Sequence, residues 1–561
     1  MYKPEFQNPI RINQRGFLPG SAKRFVLTEN KTDSLAFSIV LTDDVVEYTV
    51  YEGVMERVEE DGDVFYVGDF SSVTREGDYT VVAGGYQSRQ FVIYDRAYDI
   101  CQRTLLSYFT YQRCGHPLGW NGACHLDDGF IKETGEHVDL SGGYHQSCDL
   151  RKSPGGVSIG ALAMLRFAVK DDSEWGAILT RDEAAWACDY FVKTIQESGA
   201  MYNTLNAPFG WGGREFYRSA APSSAQWNVT SLLAVGASYF KDIDPERSAR
   251  YLATALRSFA YMTGEARPKE VYTHPDPYPR GMDPDYFYNQ CRIGSTADLA
   301  YRMIAAADLY RATGEDSFLV DMRENLPAVL EQLGQGIGAH VLTRKDESGR
   351  TVTASCSYTW NPGGLLALCD AYELLGDVFG LKEALAAAMK SASTLMERSV
   401  WRKVKKVYSV ADLDAPTGHP SPDHPCPTVR EGLGRLTYVG NYICGDIALE
   451  GYTSEYESVD PSYGGYIGIF LARAAKLLGK KKYMAYAQSV ADSMLGGDEL
   501  DSSRIRGIGY NHAPHWSYGQ FFPSTPFIPG AVGVSYSRLD GTVEYDMPCV
   551  GMAMYLLSEL E

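Results

Sequence analysis

The feature that most constrains how this chain can fold is a change of period near residue 98. Between residues 9 and 94, short segments rich in β-branched and aromatic residues recur: IRIN, RFVLT, AFSIVLT, VEYTVYE, VFYVGDF, DYTVVAG and RQFVIYD. Turn signals separate them, among them Leu18-Pro19-Gly20, Asp61-Gly62-Asp63 and Gly84-Gly85. About seven alternating strands in this space predict a small all-β sandwich of immunoglobulin-like type over residues 1–96.

From Tyr98 onward the pattern is helical. Apolar-rich segments occur at about 98–112, 157–169, 182–198, 226–240, 246–262, 295–313, 316–334, 362–375, 379–398, 461–478, 481–497 and 546–559. Some carry end signals, as where LAYRMIAAADLYRATG closes on Gly314. Long irregular stretches (199–225, 263–294, 399–460 and 498–545) separate several of them, and long loops in a compact domain are more often functional than structureless. Twelve helices fit six hairpins closed into a ring, an (α/α)6 barrel over residues 97–561 in a mostly α chain. An open solenoid expects a fixed repeat and short loops, and no such repeat is found.

Charge narrows the partners. With 71 acidic against 52 basic side chains the formal charge is -19, a field that repels phosphate backbones and argues against nucleic acid. No run of about 18 apolar residues predicts a membrane span. MYKPEFQNPIRINQ lacks the basic and apolar regions of a signal peptide, and the eleven cysteines are odd in number and scattered, so reduced thiols and a cytoplasmic location are expected.

The densest chemistry lies in RCGHPLGWNGACHLDDGFIKETGEHVDLSGGYHQSCD, residues 113–149. Cys114, Cys124, His125 and His145, with His116 and His137 nearby, include the ligand types of a closed tetrahedral zinc site. Residue types alone leave buried thiols and solvent-facing histidines as the alternative. Asp149, taken alone, reads better as an N-cap of the following helix than as a catalytic group.

Together, Asn13-Gln14-Arg15-Gly16-Phe17-Leu18-Pro19 and the run YQRCG…ACH…HVDLSGGYH resemble bacterial glycoside hydrolase family 9. The resemblance implies a structural zinc on Cys114, Cys124, His125 and His145; calcium is a further candidate cofactor. The family's Gly-Gly-Trp-(His/Tyr)-Asp-Ala-Gly-Asp is similar to Gly142-Gly143-Tyr144-His145-Gln146-Ser147-Cys148-Asp149. It implies Asp149 as general base, with Gln146 standing where the first Asp helps hold the attacking water. Gln can hydrogen-bond a water but brings no charge.

An inverting hydrolase also needs an opposed acid with a raised pKa, about 6.5–9.5 Å from the base. The family's Asn-Glu-Val-Ala-Ile-Asp-Tyr-Asn-Ala-Pro-Leu-Val-Gly resembles the stretch from Leu539 to Gly551. Ungapped, its Glu falls on Asp540; the only Glu here is Glu544, one helical turn on if the last helix already extends there. Glu544 is the first choice for its reach, and Asp540 the second. A first-turn carboxylate stabilised by the helix dipole is the structural alternative. In GIGYNHAPHWSYGQFFPSTPFIPG, His512 and His515 are candidates for sugar hydroxyls, and Trp516 and Tyr518 for stacking; Trp211 and Trp360 are weaker.

The expected function is inverting hydrolysis of a β-1,4-linked glucan or its oligosaccharides. An exo-acting β-glucosidase or β-glucosaminidase is the second enzymatic reading. A catalytically silent carbohydrate-binding protein is the third, motivated by Gln146.

Overall fold

Among the described residues, alternation produces ten strands before the first helix: β1 (Ile10–Arg11), β2 (Gly16–Phe17), β3 (Arg24–Leu27), β4 (Ala36–Asp43), β5 (Val46–Val54), β6 (Glu56–Glu60), β7 (Asp63–Asp69), β8 (Gly77–Ala83), β9 (Tyr86–Gln87) and β10 (Phe91–Ile93). This is a computed structural model, and the described residues are 7–60, 63–117, 122–131, 134–147, 150, 152–174, 176–204, 216–218, 223–265, 267, 296–333, 339–345, 351–357, 363–399, 447–449, 452–454, 461–498, 501–511, 528–532 and 545–561. One sheet runs β1-β3-β7-β6, and the other runs β2-β10-β8-β4-β5 with β9 on β8.

The strand count exceeds the expected seven because two segments serve both sheets and Tyr86–Gln87 adds a short strand beside β8. The first divides into β1 and β2 around Gly16, whose φ of 134° and close approach to the Val92 carbonyl leave no room for a Cβ. The other passes from β5 to β6 through buried Met55. Between the sheets, Phe17, Phe25, Phe37, Phe70 and Phe91 are buried, several edge to face, with centroids 5.1 Å apart for Phe25–Phe37 and 5.5 Å for Phe17–Phe70.

Twelve α-helices follow among the described residues: α1 (Asp99–Tyr111), α2 (Pro154–Ala168), α3 (Gly176–Thr194), α4 (Ser223–Phe240), α5 (Pro245–Thr263), α6 (Thr296–Thr313), α7 (Ser317–Leu333), α8 (Gly363–Leu375), α9 (Leu381–Ser399), α10 (Pro461–Leu478), α11 (Met484–Met494) and α12 (Met547–Leu560). The even-numbered helices pack in succession, and α12 closes on α2, giving an inner ring of six inside the odd-numbered ones. Burial follows this arrangement. In α5 the buried residues Tyr251, Thr254, Ala255, Ser258 and Met262 form one stripe, as an outer helix requires. In α12 every residue from Met547 to Glu559 is buried. Closure needs two glycines: a Cβ on Gly160 would strike the Met547 carbonyl, and one on Gly551 would strike the Gly160 carbonyl.

Connections from an even helix to the next odd one are short, such as 241–244 and 314–316. Short loops make antiparallel neighbours. The long connections (112–153, 195–222, 264–295, 334–362, 400–460 and 495–546) all lead into an inner helix. They therefore converge at the N-terminal end of the inner ring, where every expected site residue lies in sequence. Among the described residues no helix is long and apolar enough to cross a membrane.

The sandwich is joined to the ring through Asn13 and Gln14. Asn13 Nδ2 donates to Asp492 Oδ1 at 2.8 Å, and Gln488 Nε2 donates to the same oxygen at 2.8 Å. Gln14 Oε1 accepts the N–H groups of Tyr510 and Asn511 at 2.8 and 3.1 Å, and its Nε2 donates to Asp501 Oδ1 at 3.1 Å. Burial pushes Asp492 up to about 7 and Asp501 up to about 6. A carboxyl whose folded pKa lies above its unfolded value keeps a proton the unfolded chain has lost, so stability falls as pH rises from about 4 to about 7. Asp492→Asn keeps the accepting oxygen and removes the charge. It should raise the thermal midpoint by roughly 2–5 °C at pH 8 and leave it unchanged at pH 4, as scanning calorimetry would measure.

Candidate active site and metal centre

The connection between α1 and α2 turns back on itself. The Cys114 N–H donates to the Gly143 carbonyl at 2.8 Å, and the His145 N–H donates to the Gln112 carbonyl at 2.9 Å. That pairing sets Cys114 beside His145, and the intervening loop returns Cys124 and His125 to the same point. Cys114 Sγ lies 3.9 Å from Cys124 Sγ and 3.4 Å from His125 Nδ1, while Cys124 Sγ lies 3.1 Å from His145 Nε2. All four ligand atoms fall within 4.8 Å of one another, and all four residues are buried. A tetrahedral zinc with bonds near 2.3 Å to sulfur and 2.0 Å to nitrogen separates its ligands by about 3.3–3.8 Å. The donor set can therefore hold a metal ion. Among the described residues no second group of this kind occurs.

Ionisation fits as well. Burial raises the Cys114 thiol well above its usual range. The hydrogen bond from Cys114, with others from His125 and His145, holds Cys124 far below that range, so Cys124 is the sulfur poised as thiolate. Burial lowers His145 and keeps it neutral, the form that ligates. The loop is anchored onto the start of α2 by buried Lys152, whose Nζ donates to Asp128 Oδ2 at 3.0 Å and to the Leu140 carbonyl at 2.7 Å. His116 and His137 stand apart from the four; His137 Nε2 pairs with Asp127 at 3.2 Å.

From His145 the chain runs directly to the segment before α12. Ser147 forms an antiparallel bridge with Asp546, the Met547 N–H donates to the Gln146 carbonyl at 3.0 Å, and Ser147 Oγ donates to the Tyr545 carbonyl at 2.8 Å. The chain two residues before Asp149 is thus paired with the chain just after Glu544. Gln146 lies partly exposed, its carboxamide packed over Gly156 in the first turn of α2.

Asp149, Glu544 and Asp540 lie outside the described residues, as do His512, His515, Trp516, Tyr518, Trp211 and Trp360. Two structural alternatives for the carboxylates fall nonetheless. The cap of α2 is Ser153, whose side chain accepts from Gly156 N, so Asp149 is not the capping residue. Helix α12 begins at Met547 after Asp546, so Glu544 is not a first-turn carboxylate.

At the barrel axis all six inner helices line a cavity of about 30 Å³, with Arg166, Asp370, Arg473, Tyr466 and Tyr555 among its walls. Arg473 Nη2 and Arg311 Nη2 donate to Asp370 Oδ1 at 2.9 and 2.8 Å, and Arg166 forks onto Asp308 at 2.6 and 2.5 Å. Burial alone would raise Asp370, but Arg473, Arg311 and Arg166 outweigh it and hold the carboxyl well below its usual range. It is a compensated floor, with no proton to give. Pattern reading missed Tyr108, Gln112, Ser147, Lys152 and Asp128. YQRCG and SGGYHQSCD were both singled out, but only for their Cys, His, Gln and Asp residues.

The sequence profile of glycosyl hydrolase family 9 matches residues 98–518, and that of a cellulase N-terminal Ig-like domain matches residues 5–88. A cellodextrinase of Butyrivibrio fibrisolvens is 26% identical over 352 residues, 56% of this chain and 60% of that protein, so the chain spans less than two thirds of that relative. Among solved structures, a family 9 protein of Bacteroides ovatus superposes with a TM-score of 0.65 at 17% identity, covering 98% of both chains. A Zn-binding triple mutant of a family 9 endoglucanase superposes at 0.63, also at 17% identity, covering 97% of this chain and 99% of that one. These likenesses carry the fold, a mostly helical (α/α)6 barrel behind an all-β domain.

Proposed function

The chain belongs to glycosyl hydrolase family 9, and from that premise we propose that it hydrolyses β-1,4-linked gluco-oligosaccharides with inversion. The observation that carries this reading is the pairing of Ser147 with Asp546, which ties the Asp149 segment to the Glu544 segment at the rim where the long connections converge. In the reaction Asp149 takes a proton from a water that attacks the anomeric carbon, while Glu544 protonates the departing oxygen. Gln146 is the neighbour that orients that water through its carboxamide. His512 and His515 bind hydroxyls, and Trp516 offers a stacking face. Zinc is the ion that suits Cys114, Cys124, His125 and His145; with four protein ligands its role is structural. The cellodextrinase relative supports soluble oligosaccharides as substrates.

Cellotetraose followed by proton NMR tests this directly. The α-anomer of the new reducing end should appear first and then mutarotate. Initial β-anomer would refute inversion. No release from any β-glucoside or β-glucosaminide would favour the silent carbohydrate-binding reading, which Gln146 in place of a carboxylate supports.

A further inference from the structure

Two side chains of α1 lie against the pairing between the two carboxylate-bearing segments. Tyr108 Oη donates to the Gln146 carbonyl at 3.1 Å and accepts from Gln112 Nε2 at 3.0 Å. That same Nε2 reaches the Ser147 carbonyl at 3.3 Å. On its other side the Tyr108 ring meets the Tyr545 ring edge-on, with centroids 5.7 Å apart. Ser147 Oγ closes the circuit by donating to the Tyr545 carbonyl at 2.8 Å. Tyr108 and Gln112 are fully buried and Ser147 nearly so. Hydrogen bonds shielded from water in this way hold their geometry tightly.

We propose that Tyr108, Gln112 and Ser147 are positioning residues for hydrolysis. They hold the chain leading to Asp149 against the chain leaving Glu544, and so set the gap in which the attacking water stands. The proposal rests on Asp149 and Glu544 being base and acid. It adds that their separation is governed from α1 and from one serine hydroxyl, neither of which donates or accepts the transferred protons.

Tyr108→Phe and Ser147→Ala each remove one oxygen. Each should lower kcat on cellotetraose about 10-fold while KM stays within about twofold, because geometry is lost and binding is not. A looser gap also weakens the repulsion by which the Asp149 charge keeps the Glu544 proton in place. The alkaline limb of the kcat profile should therefore move to lower pH. General loosening of the fold would lower the thermal midpoint and leave that limb where it was; such a result overturns the proposal. Asp149→Asn, assayed alongside, separates the two layers. If it retains wild-type activity, the assignment of the base fails. If it is inactive while Tyr108→Phe and Ser147→Ala keep wild-type kcat and pH limbs, the positioning role alone is overturned. Should Tyr108→Phe not fold, Ser147→Ala decides, since it removes only the hydroxyl that reaches the Tyr545 carbonyl.

Discussion

Asp149→Asn is expected to lower kcat on cellotetraose by about 10³–10⁴-fold, with a thermal midpoint unchanged from wild type. Asn keeps the size and hydrogen-bonding shape of the carboxylate but cannot accept the proton of the attacking water. Gln146 cannot substitute, because it too is neutral; where the family motif carries two carboxylates, this chain carries one. The loss should therefore persist even for substrates with good leaving groups. Glu544→Gln should behave differently. Protonation of the departing oxygen matters least when that oxygen leaves easily, so the variant should fail on cellotetraose and retain activity on a dinitrophenyl cellobioside. Asp540→Asn serves as the control; if it shows that contrast and Glu544→Gln does not, the acid is Asp540. A fully active Asp149→Asn would remove the mechanism altogether.

The second large effect concerns the metal. Elemental analysis should find about one zinc per chain, and none in Cys114→Ser/Cys124→Ser. Prolonged chelation of the wild-type chain should give the same metal-free state. Without the ion, four buried ligands lose their common partner, and the sulfur of Cys124, which its neighbours hold toward the thiolate, is left buried with no cation to balance it. The midpoint should fall on the order of 5–10 °C. Activity should fall with it, because His145 immediately precedes the Gln146–Ser147 segment paired with α12. A metal-free chain with a wild-type midpoint would show that the four side chains are merely packed.

How much of this could be read from residues alone varies with sequence distance. The ring was legible because each helix announces itself locally, as the Tyr251–Met262 stripe of α5 does. The grouping of Cys114, Cys124, His125 and His145 was legible only through the family resemblance, since residue types alone left buried thiols and solvent-facing histidines as the alternative; the structure brings the four together. The strand count was not legible, since a division such as that at Gly16 depends on which sheet each half joins, and only the packed Val92 carbonyl decides it. The hydroxyl of Ser147 was invisible for a stronger reason. Its partner lies 398 residues away, and the two meet only because α12 closes on α2.

The contacts of Gln14 bear on anyone wishing to shorten this chain. Its single carboxamide oxygen braces the two peptide groups immediately upstream of His512. Trimming the leading β-rich portion would therefore withdraw a strut from the chain that leads into His512. A replacement for the leading portion would have to present an equivalent amide oxygen at that spot to keep the brace.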